Sequence, residues 1–137
     1  MMQQALFFSI PRFLSIAFQF FIGSILFGQS DPCTSITPLT CAVNSNYSLT
    51  GTGVWNPPGP WGTPGAEAVF SYTAPTTGAY DVQITNNNYY VDLFLSTSCG
   101  PAGWTYVNDI NTNETSVVNL TAGVTYYFLL DDENYDY

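Results

Sequence analysis

The chain has 137 residues, with ten acidic side chains, no histidine and one basic side chain, Arg12. From Asp31 onward the charge is therefore purely negative, which excludes binding to nucleic acid, phosphate groups or an acidic membrane surface through cationic contacts. No salt bridge can form in that part of the chain. Its acids must face water, cap turns or bind a metal ion.

The first 30 residues are typical of an export signal. Arg12 precedes an apolar run over 13–27, and the small residues Gly28 and Ser30 follow that run, as a signal peptidase requires. The alternative is an uncleaved membrane anchor, but a spanning helix needs about 20 apolar residues. We expect a signal helix over 1–30, cleavage near Ser30, a secreted or cell-surface location, and membrane contact only through an uncleaved signal.

Residues 31–137 have the length of a single domain, and an exported domain meets an oxidising environment. Cys33 and Cys41 are close enough in sequence to close a small loop, so we predict a disulfide between them. That bridge would stabilise the domain by about 2–3 kcal/mol. Cys99 is then left over, and a partner beyond residue 137 is one explanation for it.

The predicted elements begin with a short strand near residues 45–55, which ends in glycines. A long loop follows at 56–67, because four prolines and three glycines exclude a helix or a central strand there. Runs of alternating apolar and polar residues then predict six strands. These strands are expected at 68–73, 79–85, 89–97, 104–107, 116–120 and 124–130.

Turn-forming segments such as APTTG and NNN separate these runs, and no window after the signal has helical spacing. Short strands at such regular intervals are typical of an antiparallel sandwich. We therefore predict an all-β, jelly-roll-like β-sandwich of about seven to eight strands.

The residue types of the chain disfavour catalysis. Serine and cysteine nucleophiles need a nearby base, usually histidine, and Schiff-base chemistry needs lysine; the sequence contains neither. A carboxylate pair formed by Asp81 and Asp92 on adjacent strands is the one glycosidase-like arrangement that the sequence offers. Exposed strand-face acids or calcium ligands are the favoured roles for both residues, so we predict a non-enzyme.

Calcium is the cofactor that the remaining oxygen-rich segments indicate, because it prefers carboxylate, amide and carbonyl oxygens. Asp131, Asp132 and Glu133 follow the last predicted strand, and Asp109 lies in a second oxygen-rich segment between two asparagines. Neither segment matches an EF-hand loop, and solvated acidic loops are favoured over a bound ion at both places. The candidate metal ligands are Asp92, Asp109, Asp131 and Asp132.

Three tryptophans lie in or beside predicted loops: Trp55, Trp61 and Trp104. Exposed aromatic faces stack on sugar rings or apolar side chains, so these residues are candidate contacts to a carbohydrate or protein ligand. For each of them, closing one end of the sandwich core is the favoured role.

Three pieces in order, AEAVFSYTAPTTGAYDVQIT, YVDLFLSTSC and LTAGVTYYFLLDD, resemble the bacterial pre-peptidase C-terminal domain. The likeness spans residues 31–132 and is strongest to versions found in secreted surface proteins of Bacteroidetes-type bacteria. It implies a jelly-roll-like sandwich with an accessory role beside proteases, other hydrolases or adhesins. Some relatives bind calcium and a polymer such as collagen, and Asp92 and Asp131 occupy the family's acidic positions.

Two departures from the family pattern lead us to expect a truncated chain. The closing strand after the last acidic residues is missing, and so is a second cysteine soon after Cys99. A missing strand exposes an unpaired sheet edge.

The predicted function is that of a non-catalytic accessory module, for binding or spacing, in an exported bacterial protein. Its expected partners are a polysaccharide or protein polymer and the rest of a larger secreted protein. The alternative is a structural surface or filament subunit that assembles through strand edges.

Overall fold

The computed structural model describes residues 30–49, 53–56, 63–85, 90–111 and 113–133. These residues form seven strands and one short 3-10 helix, Pro32–Thr34, so the predicted all-β sandwich is confirmed. The strands are β1 (Ile36–Pro38), β2 (Glu67–Thr73), β3 (Gly78–Gln83), β4 (Val91–Ser96), β5 (Thr105–Ile110), β6 (Thr115–Leu120) and β7 (Thr125–Asp132). The predicted signal lies outside the described residues, apart from Ser30.

The strands form two sheets. The larger has the order β1-β2-β7-β4-β5, and the smaller pairs β3 with β6. Every neighbouring pair is antiparallel except β1 and β2, which run parallel. None of the described residues belongs to a helix with the length and apolar character needed to cross a bilayer.

Strands β2 to β7 coincide with the six predicted runs to within a few residues at each end. The strand predicted near 45–55 is wrong for its described residues, which carry no strand. The first strand is instead β1, which pairs with the edge of β2. Pro38 can end this strand because an edge position does not require every backbone N–H to be paired.

An apolar core fills the space between the two sheets. Phe70, Leu93 and Phe128 contribute to it from the larger sheet. Val118 and Leu120 contribute from β6, whose burial alternates residue by residue. This alternation is the expected pattern for a strand with one face on the core and one face in water.

The larger sheet is also buried on its outer face, by a second cluster that includes Val69, Phe94 and Leu129. Trp55, which is only 2% exposed, covers this cluster. Its indole N–H donates a hydrogen bond to the carbonyl of Pro101 at 2.9 Å. Segments without strand structure therefore form a third layer over the larger sheet.

The disulfide joins Cys33 to Cys99, so the predicted pairing of Cys33 with Cys41 is wrong. Strand β1 runs between Cys33 and Cys41, and an extended strand separates its ends by about 3.3 Å per residue. Cys99 follows β4 and packs against the outer cluster. Cys41 is exposed and carries a free thiol.

The carboxylate pair considered for a glycosidase is also absent. Asp81 lies on β3 in the smaller sheet, whereas Asp92 lies on β4 in the larger one. Asp81 is exposed and Asp92 is fully buried. The two strands follow each other in sequence but are not neighbours in a sheet.

Candidate metal centre

A row of carboxylates crosses the outer face of the larger sheet. Glu67 on β2 lies opposite Asp131 on β7, Asp131 lies opposite Asp92 on β4, and Asp92 lies opposite Asp109 on β5. Residues directly opposite each other in antiparallel strands point to the same face. We call these four residues the carboxylate row.

Side chains two residues apart on a strand point to the same face of the sheet, and this places the carboxylate row beside the outer apolar cluster. Asp92 is two residues from Phe94, and Asp131 is two residues from Leu129, both members of that cluster. The acids are therefore on a covered face of the sheet, where Trp55 and its neighbouring segments limit the access of water.

Three acids come close enough to share one ion. A carboxylate oxygen from each of Asp92, Asp109 and Glu133 lies within 4.8 Å of the other two. We call these three residues the acidic triad. Glu133 directly follows β7, and its backbone N–H donates to the carbonyl of Tyr90 at 3.1 Å, which holds this end of β7 beside the start of β4.

The triad lacks the hydrogen bonds that buried carboxylates require. Both carboxylate oxygens of Asp92, one of Asp109 and one of Glu133 are buried without a hydrogen-bond partner among the described residues. Asp92 is fully buried and Glu133 is 7% exposed. A buried carboxylate is strongly unfavourable unless it is protonated, paired with a cation or bound to a metal.

Within the described residues there is no lysine, arginine or histidine to pair with these acids, since Arg12 is the only basic residue of the chain. The triad offers oxygen ligands from three neighbouring positions on β4, on β5 and after β7. This cluster could therefore hold a metal ion, and its all-oxygen donor set fits a hard cation better than zinc, which usually takes nitrogen or sulfur ligands.

Burial and mutual repulsion shift the ionisation of the triad. Burial, together with the charges of Glu133 and Asp109, raises the pKa of Asp92 to about 7. Burial also raises the pKa of Asp109, with a further contribution from Glu114, and it raises the pKa of Glu133. A proton held by Asp92 near neutral pH would be displaced by a bound metal ion.

Asp131 lies next to the triad in the carboxylate row. It is fully buried, and Thr63, also fully buried, donates its hydroxyl to Asp131 Oδ2 at 2.8 Å. Burial raises the pKa of Asp131 to about 8, although the Thr63 hydrogen bond acts in the opposite direction. The charges of Glu67 and Asp92 raise that pKa further.

The structure brings two of the predicted metal ligands, Asp92 and Asp109, into the triad. Asp131 and Asp132 are outside the triad. Asp131 is the neighbouring member of the carboxylate row. Asp132 is the next residue on β7, opposite Val91, and successive side chains of a strand point to opposite faces of the sheet. Glu133 completes the triad but is not among the four candidate ligands, although it belongs to the same oxygen-rich segment as Asp131 and Asp132. Its position in the acidic run after the last strand was the available signal, but the strand pairing decides which acid of that run meets Asp92.

The two tryptophans that the structure describes, Trp55 and Trp104, differ in exposure. The prediction that Trp55 contacts a ligand is wrong, because Trp55 is buried. Its ring centroid lies 5.5 Å from that of Phe94 and 5.9 Å from that of Trp104. Trp104 is half-buried, and its indole N–H donates to the carbonyl of Gly100 at 2.8 Å. Trp61 lies outside the described residues.

Comparison with known proteins identifies no relative. No family model matches the chain, and neither a curated protein nor a solved structure matches it. Function must therefore be argued from the site itself.

Proposed function

We propose that this chain is a non-catalytic binding or spacer module of an exported protein, and that a calcium ion held by Asp92, Asp109 and Glu133 stabilises it. The observation that carries the proposal is the environment of Asp92. Its carboxylate is fully buried, both oxygens lack a hydrogen-bond partner among the described residues, and oxygens of two other acids lie within 4.8 Å.

Calcium suits this cluster for reasons of charge and geometry. Three carboxylates carry more negative charge than one divalent cation neutralises, so the ion would be held strongly. Calcium accepts irregular arrangements of carboxylate oxygens, one or two from each acid, whereas magnesium requires near-ideal octahedral geometry and usually keeps several waters. A largely covered site with three acids therefore favours calcium.

The ion would connect parts of the chain that are distant in sequence. Asp92 and Asp109 belong to the neighbouring strands β4 and β5, and Glu133 follows β7 on the other side of β4. An ion that binds only the folded state adds to its stability by mass action, by about 2.7 kcal/mol when its concentration is 100 times Kd. We infer a structural ion, which tightens one end of the larger sheet.

Export and the accessory role rest on other observations. The disulfide is compatible with an extracellular location, since such bonds persist in oxidising environments. The absence of histidine and lysine from the sequence supports a non-catalytic role. The resemblance to the pre-peptidase C-terminal domain stays a prediction, and so does contact with a carbohydrate or protein polymer.

The proposal is tested by thermal unfolding of the oxidised protein in 1 mM calcium and in excess chelator. At a concentration about 100 times Kd, calcium should raise Tm by about 10–15 °C, given the stabilisation and the size of the domain. Asp92→Asn should abolish this response. Asp81→Asn is the matched control, because Asp81 is an exposed acid on β3 in the smaller sheet, and it should retain the response. A wild-type Tm that calcium does not change would overturn the proposal.

A structural subunit that assembles through strand edges is the second candidate. It is supported by the smaller sheet, in which β3 and β6 each have one edge that pairs with no described strand. Val117 on β6 is 61% exposed. Size-exclusion chromatography separates the two functions: a monomer supports the module, and large assemblies that Val117→Lys disperses support the subunit.

A further inference from the structure

Asp131 is a second fully buried acid that the acidic triad does not use. One of its oxygens, Oδ2, accepts the hydroxyl of Thr63 at 2.8 Å. The other, Oδ1, is buried and has no hydrogen-bond partner among the described residues. Thr63 thus fixes the orientation of the carboxylate and leaves one oxygen available to a ligand.

The register of the sheet places this carboxylate between two other acids. Asp131 lies opposite Glu67 on one side and opposite Asp92 on the other, and all three share one face. Asp92 has two oxygens without a partner, so it can face the triad with one and Asp131 with the other. Glu67 is half-buried, and both of its oxygens accept the backbone N–H of Val54, at 3.1 and 3.0 Å.

The charge of the region exceeds what one divalent cation neutralises. The triad and Asp131 together contain four acids, and the described part of the chain provides no basic side chain near them or elsewhere. A single calcium ion at the triad would leave Asp131 buried, with an unpartnered oxygen, beside Asp92. Two divalent cations would balance four carboxylates.

We propose that this face binds two divalent cations, one at the triad and a second between Asp131 and Asp92, with Asp92 bridging both ions. Glu67 borders the second position in the sheet register but is not counted among its ligands, because both of its oxygens already accept the backbone N–H of Val54. The inference rests on the proposed calcium site and adds its stoichiometry. It also assigns a role to Thr63. The hydroxyl of Thr63 donates its hydrogen bond to Asp131 and so positions that carboxylate, and Thr63 is not a ligand of the ion.

The number of bound ions tests the inference directly. Isothermal titration of the metal-free, oxidised protein with calcium, checked by elemental analysis after equilibrium dialysis, should give two ions per chain. Asp131→Asn should reduce this to one, and so should Glu133→Gln, because each removes a ligand of a different ion. Asp81→Asn should retain both ions. Asp131→Asn replaces a buried ionisable group with a neutral one of the same size, so its metal-free form should unfold at a Tm no lower than that of the wild type.

A second measurement reports the distance between the ions. Protein loaded with a mixture of terbium and europium should show energy transfer from Tb³⁺ to Eu³⁺, and Asp131→Asn should eliminate the transfer while one lanthanide remains bound. One ion per chain in both the wild type and Asp131→Asn would overturn the two-ion inference and leave the calcium site standing. No bound ion in the wild type would overturn both.

Discussion

Cys33 is bonded to Cys99, 66 positions further along the chain, and their Cα atoms lie 5.8 Å apart. The bridge ties the segment before β1 to the loop after β4, and so joins an edge of the larger sheet to the layer that covers its outer face. Its effect on stability follows from the length of chain that it encloses.

Cys99→Ser should therefore destabilise the protein by about 4 kcal/mol, because a bridge across 66 residues removes a large loop-closure entropy from the unfolded chain. Urea unfolding measures this change. Cys41→Ser is the matched control, since Cys41 is exposed and unbridged, and it should change stability by less than about 0.5 kcal/mol. Equal losses in the two variants would contradict the assigned pairing.

Trp55 anchors the covering layer, so its truncation should be costly. Trp55→Ala should lower the free energy of unfolding by about 3–5 kcal/mol, the range for deletion of a buried aromatic side chain. Trp55→Phe keeps an aromatic ring but loses the hydrogen bond to Pro101, and should cost less. Denaturant unfolding of both variants, with the exposed Val117→Thr as control, checks this order. A loss no larger in Trp55→Ala than in Val117→Thr would show that Trp55 is not part of the core.

The metal-free protein should become less stable as pH rises from about 4 to about 8. The pKa of Asp92 is raised in the folded state to about 7, and that of Asp131 to about 8, both from an ordinary value of 3.8. In this range the folded state binds more protons than the unfolded state, so stability falls as pH increases. The destabilisation is absent below the unfolded pKa and complete above the folded one.

Tm measured across this pH range in excess chelator tests the prediction. Asp92→Asn should flatten part of the decline, because asparagine does not ionise. Calcium should oppose the decline in the wild type, since the ion replaces the protons. A metal-free Tm that increases between pH 5 and pH 8 would contradict the burial of these two acids.

Gly65 lies where the covering layer approaches the end of β7. A Cβ atom at this position would overlap the carbonyl oxygen of Asp132 and lie 2.7 Å from its Cβ. Gly65→Ala should therefore destabilise the protein by about 1–3 kcal/mol, as overpacking does. Gly78→Ala is the control, because its added Cβ meets nothing within 4 Å, and it should be neutral or slightly stabilising. Denaturant midpoints compare the two, and an undiminished midpoint for Gly65→Ala would contradict this close approach.

The strands were predictable from the sequence because each depends on local chemistry. The alternation of Val82 with its polar neighbours on β3, and of Val118 and Leu120 with theirs on β6, is a property of adjacent residues in an extended chain. The turn segments between the strands contain prolines, glycines and asparagines for similarly local reasons. The strand predicted near 45–55 is absent from its described residues. Local composition can favour an extended segment, but it does not show whether a partner strand lies beside it.

The candidate site was only partly predictable. Oxygen-rich segments around Asp109 and Asp131 indicated a metal ligand set, but their separation in sequence gave no measure of their separation in space. The order of the larger sheet places β7 between β2 and β4, and this order aligns Asp131 with Asp92 and brings Glu133 to the triad.

An all-β chain whose residues from Asp31 onward carry only negative charge follows from alternation and composition, which act residue by residue. The pairing of Cys33 with Cys99, the burial of Trp55 and the convergence of the acids on one covered face do not follow from them. These features depend on strand order and register, which join residues far apart in the chain, and the free energy that selects them comes from burial in the assembled sandwich.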